Sequence, residues 1–267
     1  MRLSISSWSF HRELPTYRDT DPREGLDLFG FVRLCASRYG VEGVEIVSTH
    51  VMRPNDEPYV ADLRGCIREA GLELVNLACD AGKVGLADPA ERKENLEALR
   101  RWVETATTLD SDAIRVNCAA ADGRGADEAL EAAVADYRVL LAAVKDHGLA
   151  LLLENHGGLT SDPDMCRRIL EGVGDPAFRA CPDNGNFAPE VREAGLAAMR
   201  PFMALAHLKT LAFDDAGNET TFDIPGIVAA YRDAGFDGFL SIEFEGKGDQ
   251  YEGVAKSVAL GRRAIDA

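Results

Sequence analysis

Leu149-Ala150-Leu151-Leu152-Leu153-Glu154-Asn155-His156-Gly157-Gly158 is an apolar run that stops in a carboxylate, an amide and an imidazole. Five consecutive apolar residues read as a strand buried on both faces, the pattern of a parallel sheet. An ionised glutamate at the end of such a strand is costly to bury unless it is paired or ligates a metal. Three later stretches have the same form: Cys181-Pro182-Asp183-Asn184, Ala206-His207-Leu208-Lys209 and Ser241-Ile242-Glu243-Phe244.

Outward from that stretch the chain repeats one strand and one helix. Strands are expected over 3–7, 43–47, 72–78, 113–118, the quoted run, 178–183, 205–209 and 238–244. Between them, helical spacing covers 26–39 and 58–70, and Leu130, Val134, Tyr137, Leu141 and Val144 mark another helix. A polar segment runs to about Glu24 before the first helix. Asp88-Pro89-Ala90-Glu91 and Asp162-Pro163 read as helix starts, with a capping carboxylate followed by proline at the first helical position. Shorter helices are expected around 190–200 and over 225–234, and Val254, Val258 and Ile265 mark the closing helix. Tyr39-Gly40-Val41, Ala70-Gly71-Leu72, His147-Gly148-Leu149 and Ala234-Gly235-Phe236 are four junctions of one form, a helix stop followed at once by a strand.

Eight such units predict an α/β chain folded as a single (β/α)8 TIM barrel over 1–267, without linker or second domain. A doubly wound open sheet would need a glycine-rich phosphate turn after the first strand, and Ser6-Ser7-Trp8-Ser9 is not one. The net charge of −16, with no cluster of Lys and Arg, argues against a nucleic-acid partner. No apolar run is long enough to cross a membrane. Met1-Arg2-Leu3-Ser4-Ile5 reads as a strand and not as a signal peptide, so a cytoplasmic protein is expected. The six cysteines form no C-x-x-C pair, which argues for reduced thiols and against a zinc site built on sulfur.

Active sites of β/α barrels lie at the C-terminal ends of the strands. Glu154, Asp183, His207 and Glu243 fall at the ends of strands five to eight, separated by 29, 24 and 36 residues, each about one repeat. Three carboxylates and one imidazole suit a single divalent ion, with Mn²⁺ expected and Mg²⁺, Co²⁺ and Zn²⁺ also compatible.

These stretches, together with Leu153-Glu154-Asn155-His156-Gly157-Gly158, Cys181-Pro182-Asp183-Asn184-Gly185-Asn186-Phe187 and Ser241-Ile242-Glu243-Phe244-Glu245-Gly246, resemble the sugar phosphate isomerase/epimerase group of xylose isomerase-like barrels. The resemblance covers essentially the whole chain. It implies that Glu154, Asp183, His207 and Glu243 hold one divalent metal and that Glu154 and Glu243 also act as acid and base. It further implies a carbohydrate substrate and a dimeric or tetrameric assembly. Many members carry a histidine three residues after the aspartate; this chain has Asn186, which hydrogen-bonds a hydroxyl but does not titrate. The endonuclease branch needs a cluster of zinc-binding histidines. With only His11, His50, His147, His156 and His207, and His147 at a helix end, this chain does not supply one.

A metal that chelates a carbonyl and a neighbouring hydroxyl acidifies the carbon between them, and a carboxylate removes the proton to give a stabilised enediolate. Return of that proton to the other face is epimerisation, and return to the neighbouring carbon is isomerisation. The leading expectation is therefore a metal-dependent isomerase or epimerase of a keto sugar or keto-polyol. A lyase or dehydratase eliminating from a 3-keto-glycoside uses the same site, and a non-catalytic sugar-binding barrel is the reading from another class. His156, Asn186, Lys209, Arg115, Asn117, His50 and Trp8 are the substrate-contact candidates. His11 is a further pocket candidate, and Trp8 and Phe10 are candidate walls for a sugar ring. Lys209 is suited either to neutralising an oxyanion or to pairing with a carboxylate.

Overall fold

A computed structural model describes residues 1–19 and 25–267, so residues 20–24 of the polar segment that runs to Glu24 lie outside the described part. Eight parallel strands alternate with helices in chain order: β1 (Arg2–Ser6), α1 (Leu28–Leu34), β2 (Gly43–Val47), α2 (Glu57–Glu69), β3 (Glu73–Val84), α3 (Pro89–Thr108), β4 (Ala113–Cys118) and α4 (Ala126–Asp146). They continue as β5 (Ala150–Glu154), α5 (Pro163–Val173), β6 (Phe178–Cys181), α6 (Arg192–Met199), β7 (Leu205–Thr210), α7 (Ile224–Asp233), β8 (Phe239–Phe244) and α8 (Gln250–Asp266). The ladder runs β6-β5-β4-β3-β2-β1-β8-β7. Two isolated parallel bridges, Ala180–Met203 and Asp183–His207, close it into a barrel.

The local signals act as the sequence predicts. Asp88 accepts hydrogen bonds from the N–H groups of Ala90 and Glu91, both at 2.9 Å, and Asp162 caps α5 through Asp164 N–H at 2.8 Å. Gly40 adopts φ 58°, the left-handed conformation that ends the helical segment after α1 at little cost.

Two strands depart from expectation. β3 runs past residue 78 to Val84, with a register shift between Cys79 and Lys83 that carries Asp80 out over the barrel mouth. β6 stops at Cys181 instead of 183, because Pro182 has no N–H for the ladder. Asp183 is anchored instead by its own N–H, which donates to the Asn155 side chain at 2.8 Å.

The barrel interior is layered. Val75, Ala113, Leu152, Cys181, Leu205 and Phe239 form a small apolar cluster separate from the main core between strands and helices. Period-two alternation then places Glu45, Arg115, Glu154 and His207 on the inward face one step nearer the C-terminal mouth, with Asn117, Lys209 and Glu243 above them. An irregularity in the β2–β3 register at Val44/Glu45 brings Asn76 opposite Glu45, and its amide donates to Glu45 Oε2 at 3.2 Å. The apolar plug forms a floor beneath the inward-facing charged layers, which lie on its C-terminal side.

Candidate metal centre

His207 stands at the middle of the polar layer. Its Nδ1 lies 3.1 Å from Glu154 Oε1 and 3.4 Å from Asp183 Oδ2, and its Nε2 lies 3.0 Å from Glu45 Oε2. All four side chains are essentially sealed from solvent. Two groups have donor atoms all within 4.8 Å of one another: Glu154, Asp183 and His207, and Glu45, His207 and Glu243. Glu154 Oε2, Asp183 Oδ2 and Glu45 Oε1 are buried oxygens with no hydrogen bond among the described residues. Arg115 Nε sits 2.9 Å from Glu154 Oε2, but off the hydrogen-bond direction.

Lys209 fills the space above. Its ammonium lies 3.1 Å from Asp183 Oδ2, 3.0 Å from Glu243 Oε2 and 3.2 Å from Glu245 Oε1, and it donates to Asn186 Oδ1 at 2.9 Å. The stem of Lys209 passes so close to Gly185 that any side chain there would overlap it. Asn186 in turn donates to Glu154 Oε1 at 3.1 Å, tying the two halves of the cluster together.

The charges are unbalanced. Six carboxylates (Glu45, Asp80, Glu154, Asp183, Glu243 and Glu245) face three cationic groups, Arg115, His207 and Lys209. Burial alone would raise every buried acid. At Glu154 the Arg115 and His207 charges outweigh burial and hold the carboxyl well below its usual range. Asp183 is held down by Lys209 and His207. Glu243 is the group left over: burial, with Asp183 and Glu154 nearby, pushes it up to about 8 despite Lys209 and His207. Burial opposes the His207 imidazolium, yet Cys181 and the Glu45, Glu154 and Glu243 carboxylates around it carry it well above its usual value. A buried cluster with more carboxylates than cationic groups and one imidazole is chemically fit for a divalent cation.

The sequence-expected residues fall into place as follows. Glu154, Asp183 and His207 meet directly; Glu243 joins them across Lys209 and on the Glu45 side of His207. Arg115 Nη1 and Asn117 Nδ2 both point inward and donate to Asp80 Oδ1, at 2.6 and 2.9 Å. Lys209 is ion-paired, with carboxylates of Asp183, Glu243 and Glu245 within 3.2 Å of its ammonium. His156 is exposed at the rim. Trp8 donates its indole N–H to Glu245 Oε1 at 2.8 Å and stacks on His11 and, at longer range, on His50. Phe10 is fully buried and packs on Phe31 and Tyr251, so it walls the core and not the mouth.

His50 is held by Ser7. The Ser7 hydroxyl accepts the Val47 N–H at 2.9 Å and hydrogen-bonds His50 Nδ1, also at 2.9 Å. The other ring nitrogen, Nε2, is buried and has no hydrogen-bond partner among the described residues. Burial, with His11 nearby, lowers His50 to about 4, so it stays neutral.

Glu45 and Asp80 were not singled out by the sequence reading. Glu45 carries a legible signal, a carboxylate inside the apolar run Gly43-Val44-Glu45-Ile46-Val47, the same anomaly that marks Glu154. Asp80 carries none, because its position depends on the irregular extension of β3.

The family model for the xylose isomerase-like TIM barrel matches residues 34–264. The chain belongs to that family. No curated protein matches its sequence. Among solved structures it is similar to D-psicose 3-epimerase of Clostridium cellulolyticum H10 (TM-score 0.78, 12% identity, 99% of each chain covered). It is also similar to IOLI protein with a bound zinc atom (0.76, 13%, 99% of this chain and 96% of that one). A third is the probable 3-DHS dehydratase AsbF of Bacillus anthracis (0.74, 17%, 98% and 100%). At these identities the likeness is one of fold. No helix is long and apolar enough to cross a membrane.

Proposed function

We propose that the protein is a divalent-metal-dependent isomerase or epimerase of a keto sugar or keto-polyol. The observation that carries this reading is the gathering of buried carboxylates on His207 at the C-terminal mouth, where Glu154 with Asp183 and Glu243 with Glu45 form two groups of donor atoms that share its imidazole. Solved structures of the same fold include a D-psicose 3-epimerase and a protein with bound zinc, which supports both halves of the proposal.

Glu154, Asp183, His207 and Glu243 would hold the ion, for which Mn²⁺ suits the three carboxylates and one imidazole. The ion supplies positive charge for the oxygens of a developing enediolate. Glu45 receives the His207 Nε2–H and so turns Nδ1 toward Glu154 and Asp183, the arrangement by which an outer carboxylate orients a ligating histidine. Glu154, kept ionised by Arg115, is the base that takes the proton beside the carbonyl. Glu243 is the partner that holds and returns one. Asn186 and Lys209 position the substrate oxygens next to Glu154, and the open Nε2 of His50 hydrogen-bonds a substrate hydroxyl. Trp8 walls the β1 side and His156 the opposite rim, with Arg115 and Asn117 buried beneath it.

The test is proton exchange. Mn²⁺-loaded protein is incubated in D₂O with a panel of ketohexoses, ketopentoses and keto-polyols, and deuterium at the carbon beside the carbonyl is read by NMR. Exchange in the wild type, reduced by about a thousandfold or more in Glu154→Gln, is the expected result. Release of a substituent from the neighbouring carbon would move the assignment to a lyase. No exchange with any substrate, in protein carrying one equivalent of metal, would leave only a binding barrel.

A further inference from the structure

Outside the barrel mouth, a cavity of about 440 Å³ opens between α6 and α7. Its apolar wall is Leu196, Phe222 and Ile227, and its polar groups are Arg192, Arg200 and Tyr231, with Glu193 and Asp223 at the exposed rim. Three buried donor atoms of these lining residues have no hydrogen-bond partner among the described residues: Arg192 Nε, Arg200 Nε and the Tyr231 hydroxyl. Tyr231 is fully buried. Such groups are costly to leave unmade, and proteins rarely gather three of them by accident.

Neither guanidinium has a carboxylate partner among the described residues. Arg192 lies over the Phe222 ring, 4.9 Å from its centroid, and donates to the Phe187 carbonyl at 3.3 Å. Asp223 is committed elsewhere, as the cap of α7 through Gly226 N–H at 3.1 Å. Burial, with Asp183 nearby, raises Tyr231 above the usual phenol range despite Arg200, so its hydroxyl remains a donor. Arg192 opens α6 and Arg200 follows its last residue, so the two backbones lie roughly 12 Å apart along the helix. The cavity therefore offers two guanidiniums, carried by the two ends of α6, beside an apolar wall, with a buried hydroxyl close by.

We propose that this cavity is a second ligand site, separate from the metal centre, for a small organic dianion with an acid group at each end. One acid group meets Arg200 and the Tyr231 hydroxyl, the other meets Arg192, and the body lies against Leu196, Phe222 and Ile227. Paired charge-assisted hydrogen bonds from guanidinium to oxyanion are the strong kind.

The experiment is titration of the metal-loaded protein with suberate, a linear diacid, and with octanoate, its one-acid analogue, followed calorimetrically. Suberate binds at one equivalent, and octanoate is weaker by about tenfold. Arg192→Met and Arg200→Met each weaken suberate by a similar factor, and Tyr231→Phe weakens it less, while circular dichroism shows all three folded. Absence of saturable suberate binding overturns the proposal. So does suberate binding that survives both arginine substitutions unchanged, because the diacid is then held elsewhere, at the metal centre included. Equal binding of suberate and octanoate overturns the two-ended site.

Discussion

The two nitrogens of His207 face different partners, and Glu45 decides which is free for a ligand. Its Oε2 takes the Nε2 side at 3.0 Å and is itself steadied by Asn76. Replacing Glu45 with Gln keeps the size but removes the charge that makes the ring a strong donor to a cation. Glu45→Gln is expected to lower Mn²⁺ affinity by roughly 10–100-fold without unfolding the protein, as read by metal titration and circular dichroism. Wild-type affinity in that variant would reduce Glu45 to a structural partner. The inward direction of Arg115 and Asn117 was legible from alternation along one strand, since it needs no knowledge of neighbours. The bond from His207 to Glu45 was not, because it joins residues from strands β7 and β2 across the barrel.

Elements were the most legible scale, because their signals are local. Asp88-Pro89 and Asp162-Pro163 start helices by chemistry confined to a few residues, and Gly174 stops the second in the same way. Asp88 satisfies two N–H groups at the start of α3, so Asp88→Ala is expected to cost about 1 kcal/mol. That corresponds to a fall of roughly 3 °C in Tm, measured on metal-free protein. No change would mean that water caps the helix equally well. The two misjudged strand ends, β3 and β6, are both places where the backbone leaves the regular ladder. Pro182 was a visible reason to end β6 early. The extension of β3 through Asp80 rests on its pairing with β4, which no local pattern announces.

For the molecule as a whole, eight repeats were enough to infer a closed barrel, and charge is what its mouth has in excess. Glu243 at about 8 is protonated in the metal-free protein at neutral pH, and His207 is an imidazolium. In the proposed ligand set both lose protons on binding, so metal uptake is expected to release protons and its affinity to rise with pH. The Glu243 contribution falls by about tenfold per unit below pH 8 and levels off above it. Calorimetry of Mn²⁺ binding in buffers of different ionisation enthalpy measures the release; none at pH 7 would refute the linkage. Bound ion also stabilises the fold by about 2.7 kcal/mol at roughly 100 times Kd, seen as a Tm rise that chelator reverses.

The join between β6 and β7 adds a mechanical consequence. It is held by two isolated bridges, with Ala204 N–H on the Ala180 carbonyl and His207 N–H on that of Pro182, each at 3.0 Å. Asp183 and His207 lie on opposite lips of this seam. An ion bound to both works as a rivet across the weakest line of the barrel wall. Amides on both lips are then the ones whose deuterium uptake slows most when the rivet is in place.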